Sequence, residues 1–203
     1  MQIMVATPAM QGNIAKLIYS AGPELYDFIY KTSSQQAQDF IQFEFESGEG
    51  FCGHRNVTVA VIDGQVVATG CFYDGKTYAE LTLGTLKNMF RFYGRLKSWP
   101  VLLRTRHIES VMQKPQSNEL YLSNFAVEPS LRSSGIGKAM LAHKIAEARM
   151  HHYQLFSLDV ADNNPRAQLL YERMGLKAAE LKHFTGQRQG IQVPNAIKME
   201  MML

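Results

Sequence analysis

The residues best suited to chemistry in this sequence are Arg132-Ser133-Ser134-Gly135-Ile136-Gly137-Lys138, whose types and spacing describe an anion cradle. Glycines let a backbone approach a ligand closely. A helix opening at this point would aim its first N–H groups, and the positive end of its dipole, at the same place. Arg132 and Lys138 would add to that field, and a pyrophosphate is the natural guest. Spacing excludes two common phosphate loops. A Walker loop needs a glycine five positions before Gly137 and Ser or Thr after the lysine, where this chain has Arg132 and Ala139. A dinucleotide fingerprint needs Gly or Ala where Met140 stands.

A cradle works only between a strand and a helix, and the flanking patterns supply both. Residues 120–127 read as a buried strand that Pro129 ends, and 137–150 as a helix burying Met140, Leu141, Ala142, Ile145 and Ala148. A strand over 155–160 follows. Asn164-Pro165 then opens a short helix, asparagine being a good cap and proline suiting the first turn, and Gly175 stops it. Upstream, 57–62 and 65–73 are rich in β-branched residues around Asp63-Gly64, a tight antiparallel hairpin. A first strand over 2–6, helices over 10–20, from Pro23, and over 36–45, and closing strands over 177–183 and 196–202 complete the pattern. It implies an α/β fold: one domain over 1–203, with a mixed, mostly antiparallel central sheet flanked by helices.

The second motif is Asn164-Pro-Arg-Ala167-Gln-Leu-Leu170-Tyr171-Glu-Arg-Met-Gly175-Leu176. Together with Val127-Glu-Pro129 and Arg132 to Gly137, in that order, it resembles the GNAT superfamily of acetyl-CoA-dependent N-acetyltransferases, with Leu176 in place of the family's usual Phe. The resemblance is clearest over 120–176. It implies splayed central strands and acetyl-CoA as cosubstrate, its pantetheine arm lying against Phe125, Ala126 and Val127. It also implies an oxyanion donor at the Phe125 amide and a pyrophosphate held by Arg132, Ser133, Ser134, Gly135, Ile136, Gly137 and Lys138. Asn164 would hydrogen-bond the arm, cap the helix, or do both. Tyr171 would be the general acid, against the alternative that its ring only packs. Amine attack expels a thiolate whose conjugate acid has a pKa of about 8.5, while tyrosine sits at about 10, so a phenol can serve the sulfur without prior ionisation. The base is open. Glu119 and Glu128 only bracket the strand, Ser123 and Asn124 lie inside it, and Glu80, His107 or Glu109 could relay a proton through water.

The 203 residues are 46% hydrophobic and 19% charged with a net charge of +3, which fits one globular core and does not call for nucleic acid. Two cysteines, Cys52 and Cys71, are too few for a disulfide framework and point to a reduced, cytoplasmic setting. They lie outside both motifs, which disfavours a covalent thiol route. Cys52-Gly53-His54 lacks the second ligand pair of a zinc site, so no metal is expected. No apolar run reaches the roughly 20 residues that span a bilayer, so no membrane partner is expected either. The expected partners are acetyl-CoA and a primary amine (small molecule, peptide N-terminus or lysine), with a homodimer left open. The competing expectation is a non-catalytic acyl-CoA sensor.

The region 84–114 reads as a helical insertion. Leu86, Met89, Phe90, Tyr93 and Leu96 share a helical face, Ser98-Trp99-Pro100 breaks that helix, and another follows over 101–113. It is basic, and we expect a substrate lid in which Arg91, Arg95, Arg104 or Arg106 faces the acceptor or solvent.

Overall fold

A left-handed turn at Asp63 (φ 50°) and Gly64 (φ 76°) joins β2 (Val57–Ile62) to β3 (Gln65–Tyr73), as the Asp-Gly pair dictates. The chain is described here by a computed structural model that covers residues 1–10 and 12–203. β1 (Gln2–Val5), β4 (Glu119–Val127), β5 (Leu155–Ala161), β6 (Lys177–Lys182) and β7 (Ala196–Met202) complete one seven-stranded sheet in the order β1-β2-β3-β4-β5-β7-β6. β4 and β5 run parallel, and every other neighbouring pair runs antiparallel.

The feature that matters for function lies between β4 and β5. Their ladder runs from Glu119↔Leu155 only to Leu122↔Leu158, although β4 continues to Val127 and β5 to Ala161. A bulge accompanies the parting. Ser123 pairs with Cys71 and Ala126 with Thr69, so Asn124 and Phe125 together face Gly70 alone. Asn124 takes φ 55°, the left-handed region that asparagine tolerates better than most residues. At Gly70 a Cβ would meet Phe72, Phe125 and Leu122 at 3.0–3.3 Å, so the strand must give way to glycine there. A bulge bends its strand and raises the twist, which opens the sheet toward β5.

Helices cover both faces. α5 (Ile136–Met150) and α6 (Pro165–Arg173) bury Leu141, Ile145 and Tyr171 against Leu120, Leu122, Phe156 and Leu158. On the other face α1 (Ile14–Ser20) and α3 (Ala37–Ser47) bury Ile14, Ile18, Ile41 and Phe45 against Val57 and Val59. α2 (Pro23–Tyr30) packs with α4 (Tyr78–Thr105) through Phe28, Met89, Tyr93 and Val101.

Several expectations need correction. The helix expected over 10–20 begins at Ile14, since Gly12 takes φ 76°; Gln11 lies outside the described residues. Ala142 is exposed on α5 rather than buried. The insertion starts earlier, at Tyr78, and its break falls at Gly94 (φ 76°, ψ 164°), not at Ser98-Trp99-Pro100. Only glycine holds that conformation readily, and Ser98 Oγ fastens the corner by donating to Gly94 O (2.7 Å) and Met89 O (3.1 Å). Leu96, beyond the break, is therefore turned out at 87% exposure. The helix expected over 101–113 stops at Thr105, and a 3₁₀ turn over Ile108–Ser110 replaces its second half.

Candidate active site

The cradle forms where the motif requires it. β4 ends at Val127, a 3₁₀ turn covers Pro129–Leu131, and Gly135 (φ 87°) leads into α5. Ser133 also takes a left-handed φ of 68°. Alternating left- and right-handed residues turn successive N–H groups toward one side, the geometry that binds anions. The first intrahelical bond here is Ala139 N–H to Gly135 O (2.9 Å), so the amides of Ile136, Gly137 and Lys138 are the donors that a helix start leaves over. Lys138 and Ser134 are exposed beside them. Arg132 is engaged elsewhere, since its Nε donates to Val127 O at 3.2 Å and closes the strand end. A cation that sequence reasoning missed is Arg166, whose Nη2 donates to Ser133 Oγ at 3.0 Å from the first turn of α6. Its position inside the second motif was the one signal that could have found it.

The cradle opens onto the split between β4 and β5. Beyond Leu122 the backbone of Ser123 to Val127, which includes Phe125 and Ala126, has no strand partner on that side. Asn164 and Tyr171 stand across the gap on α6, and both line the cavity that fills it. Asn164 Oδ1 accepts from Ala167 N–H (3.2 Å) and so caps α6. Its Nδ2 makes no hydrogen bond among the described residues, so capping leaves a donor for a ligand. Tyr171 is 6% exposed with its ring 6.4 Å from that of Phe125. Burial pushes its phenol well above the ordinary value, so it stays protonated as a donor.

Past Tyr171 the cavity, of about 550 Å³, widens into a chamber under α2 and α4. Tyr26, Phe51, Tyr73, Tyr78 and Tyr121 form its aromatic wall, and Met89 and Leu102 its roof. Two of its polar residues were not anticipated. Asp159 on β5 accepts from Tyr121 OH (2.8 Å) and pairs with Lys182 Nζ (2.7 Å), the two charged side chains being 2% and 4% exposed. Glu44 on α3 is 1% exposed, accepts from Cys52 N–H (3.1 Å) through Oε2, and makes no ion pair among the described residues. Burial raises its carboxyl, an effect eased by Thr85, the Cys52 amide and Asn88. No local pattern around Glu44 marks it; only the packing of α3 under the sheet does.

The proposed proton acceptors disperse. Glu128 accepts from Asn13 Nδ2 at 2.6 Å, and Glu119 is buried among Gln116 N–H (2.9 Å) and Ser157 Oγ. His107 packs edge-on to Phe28, 5.7 Å between ring centres. Glu80 is exposed and away from the cavity, whereas Glu109 is exposed at its mouth. Ser123 and Asn124 line it; Asn124 Oδ1 accepts from Tyr26 OH (2.7 Å) and Ser123 Oγ has no partner. Of the four arginines expected to face the acceptor or solvent, Arg106 alone among the described residues lines the cavity. Arg104 donates to Lys31 O (3.1 Å) and Pro100 O (3.1 Å), while Arg91 and Arg95 are exposed. Both cysteines are buried, the Cys52 thiol pushed well up and Cys71 up to about 12 by burial. His54 Nδ1 lies 2.8 Å from Phe45 O, and no group of His, Cys, Asp or Glu able to hold a metal ion occurs among the described residues. No helix there is long and apolar enough to cross a membrane.

Comparison with known proteins agrees with this fold. A stretch of 65 residues is 34% identical to [Ribosomal protein bS18]-alanine N-acetyltransferase of Escherichia coli K12, covering 32% of this chain and 44% of that protein. The chain thus spans less than half the length of the curated relatives it matches. An N-acetyltransferase of Staphylococcus aureus Mu50 superposes with a TM-score of 0.71 at 17% identity over 99% of this chain and 100% of that one. The yncA protein of Salmonella typhimurium, solved with its cofactor acetyl-CoA, superposes at 0.57 and 15% identity, over 100% of this chain and 93% of that one. Residues 19–176 match the profile of the Acetyltransferase (GNAT) family, and with most of its length matched the chain belongs to that family.

Proposed function

We propose that the protein transfers the acetyl group of acetyl-CoA to a primary amine by direct attack. The observation that carries this reading is the split between β4 and β5, with the anion cradle at one end and Asn164 and Tyr171 along its wall. In this reading the amides from Ser133 to Lys138, helped by Lys138 and Arg166, hold the pyrophosphate, and Arg132 shapes the loop. The unpaired edge of β4 through Phe125, Ala126 and Val127, with Asn164 Nδ2, orders the pantetheine arm. Acetyl-CoA supplies an activated acyl group on a good leaving group. The neutral amine would attack the thioester carbon while the Phe125 amide draws charge onto its oxygen; the C–N bond forms, the C–S bond breaks, and the proton shed by the nitrogen passes to water or to the CoA thiolate. Tyr171, its phenol raised by burial, would hydrogen-bond the departing sulfur rather than lose its proton outright. The buried thiols of Cys52 and Cys71, both pushed up, are poor nucleophiles, which favours direct attack over an acyl-enzyme.

The test joins binding to turnover. Acetyl-CoA at one hundred times Kd should stabilise the native state by about 2.7 kcal/mol, CoA should compete, and amines should be acetylated with stoichiometric CoA release. A melting temperature unmoved by saturating acetyl-CoA would sink the reading. Binding without release across a broad amine panel would favour a non-catalytic sensor.

A further inference from the structure

We propose that the acceptor is a small organic cation, a primary amine on an aromatic or aliphatic body, taken whole into the chamber beneath α2 and α4. The inference rests on the acetyl-transfer reading and names its second substrate. Three observations lead to it.

Helices α2 and α4 bound the chamber on one side. Tyr30 of α2 and Met89 and Leu102 of α4 line it, as do Pro194 and Asn195 from the loop that leads into β7. That side is fastened: Tyr93 OH donates to Tyr30 O (2.7 Å), and Arg188 donates to Asp27 O and Phe28 O (both 2.6 Å) and to Lys31 O (2.7 Å). A compact molecule fits a space of about 550 Å³ whole, whereas a polypeptide would place only its first residues there.

The wall is aromatic. Ring centres of Phe51, Tyr73, Tyr78 and Tyr121 lie 5.2–6.2 Å from their neighbours, a continuous surface of electron-rich faces. Such faces attract both apolar bodies and cations.

The unanswered carboxyl inside is that of Glu44. Lys182 answers Asp159, but Glu44 has no cation, and Arg106 stands exposed at the rim. Glu44 Oε1 and Ser123 Oγ are both buried and make no hydrogen bond of ordinary distance and angle among the described residues, the side chains of Thr85 and Tyr73 being their looser polar neighbours. Buried polar atoms in native proteins are normally paired, so two such acceptors on one chamber mark the place of donors that arrive with a ligand. An ammonium brings three N–H donors and a positive charge beside which a buried carboxyl can ionise. Ser123 stands where β4 leaves β5, beside the backbone that the reaction uses, so it would receive the amine end.

The experiment compares two acceptors matched in body and unmatched in charge, with a peptide as the third. CoA release would be followed with 2-phenylethylamine, L-phenylalanine and a hexapeptide with N-terminal alanine, on the wild type and on Glu44→Gln and Ser123→Ala. The kcat/KM for 2-phenylethylamine should exceed that for the other two by about 100-fold, the scale on which an unanswered buried charge discriminates. Glu44→Gln should raise the KM of the amine by about 10- to 100-fold, and Ser123→Ala by a smaller factor, with the KM of acetyl-CoA unchanged. The acetyl-CoA-induced rise in melting temperature reports that each variant is folded. Equal or better use of the peptide or of L-phenylalanine would overturn the proposal, as would an amine KM within about twofold of wild type in both variants. Thermal stabilisation by acetyl-CoA without turnover of the small amine would also overturn it and leave cofactor binding intact. An enzyme that fails to bind acetyl-CoA would instead remove the reading beneath it.

Discussion

Replacing Tyr171 with phenylalanine deletes one hydroxyl and little else. The ring packs against Phe125 at 6.4 Å, contacts that phenylalanine keeps, and burial is what raises the phenol, with no group bonded to it among the described residues. The fold should therefore lose almost nothing, and the melting temperature should stay within about 2 °C, the range of a change well below 1 kcal/mol. Catalysis should lose the hydrogen bond to the departing thiolate. A bond to a charged group is worth about 1.5–3 kcal/mol. At 1.36 kcal/mol per decade this is a fall of about 10- to 160-fold in kcat. Acetyl-CoA affinity should be untouched, because the neutral thioester sulfur accepts hydrogen bonds weakly. The assay is single-turnover acetyl transfer at saturating amine, which separates chemistry from product release. An unchanged single-turnover rate would refute the reasoning and leave Tyr171 a packing residue; a collapsed melting temperature would refute the claim that its hydroxyl is structurally idle.

Other positions separate roles in the same manner. Asn164→Asp keeps the oxygen that caps α6 but removes the Nδ2 donor, so titration should show weaker acetyl-CoA binding with little change in melting temperature, whereas Asn164→Ala should also cost about 1 kcal/mol of stability. Gly94→Ala places a side chain at φ 76°, ψ 164° and should destabilise by about 1–3 kcal/mol in denaturant unfolding; no loss would mean the helix break is not glycine-dependent. For Asp74, burial alone would raise the carboxyl, but hydrogen bonds from the Thr77 amide, Tyr153 OH, Thr77 Oγ1 and the Lys76 amide bring it below its usual 3.8. Its folded value being the lower, its contribution is full above the unfolded value and fades as pH falls through the folded one. Unfolding between pH 6 and 3 should show this, and Asp74→Asn should flatten that part of the profile.

The parts of this protein that were legible in its sequence are those whose chemistry is local. Asp63-Gly64 demands a left-handed turn, Asn164-Pro165 starts a helix, and the Ser133–Lys138 glycines make a cradle, because each depends on backbone preferences within a few residues. The α4 corner shows where local reasoning stops. Gly94 and Pro100 are both able to break a helix, and the choice fell to Gly94 because Tyr93 OH reaches Tyr30 O and Ser98 Oγ binds the carbonyl of Gly94 itself. The chamber lies wholly beyond local reach. Glu44, Tyr73, Ser123 and Asp159 come from four separate elements, and no spacing links them. They meet because a bulge at Asn124 parts β4 from β5 and α3 lies beneath the opening, so that strand register and helix packing, which act between distant segments, decide which side chains share one space.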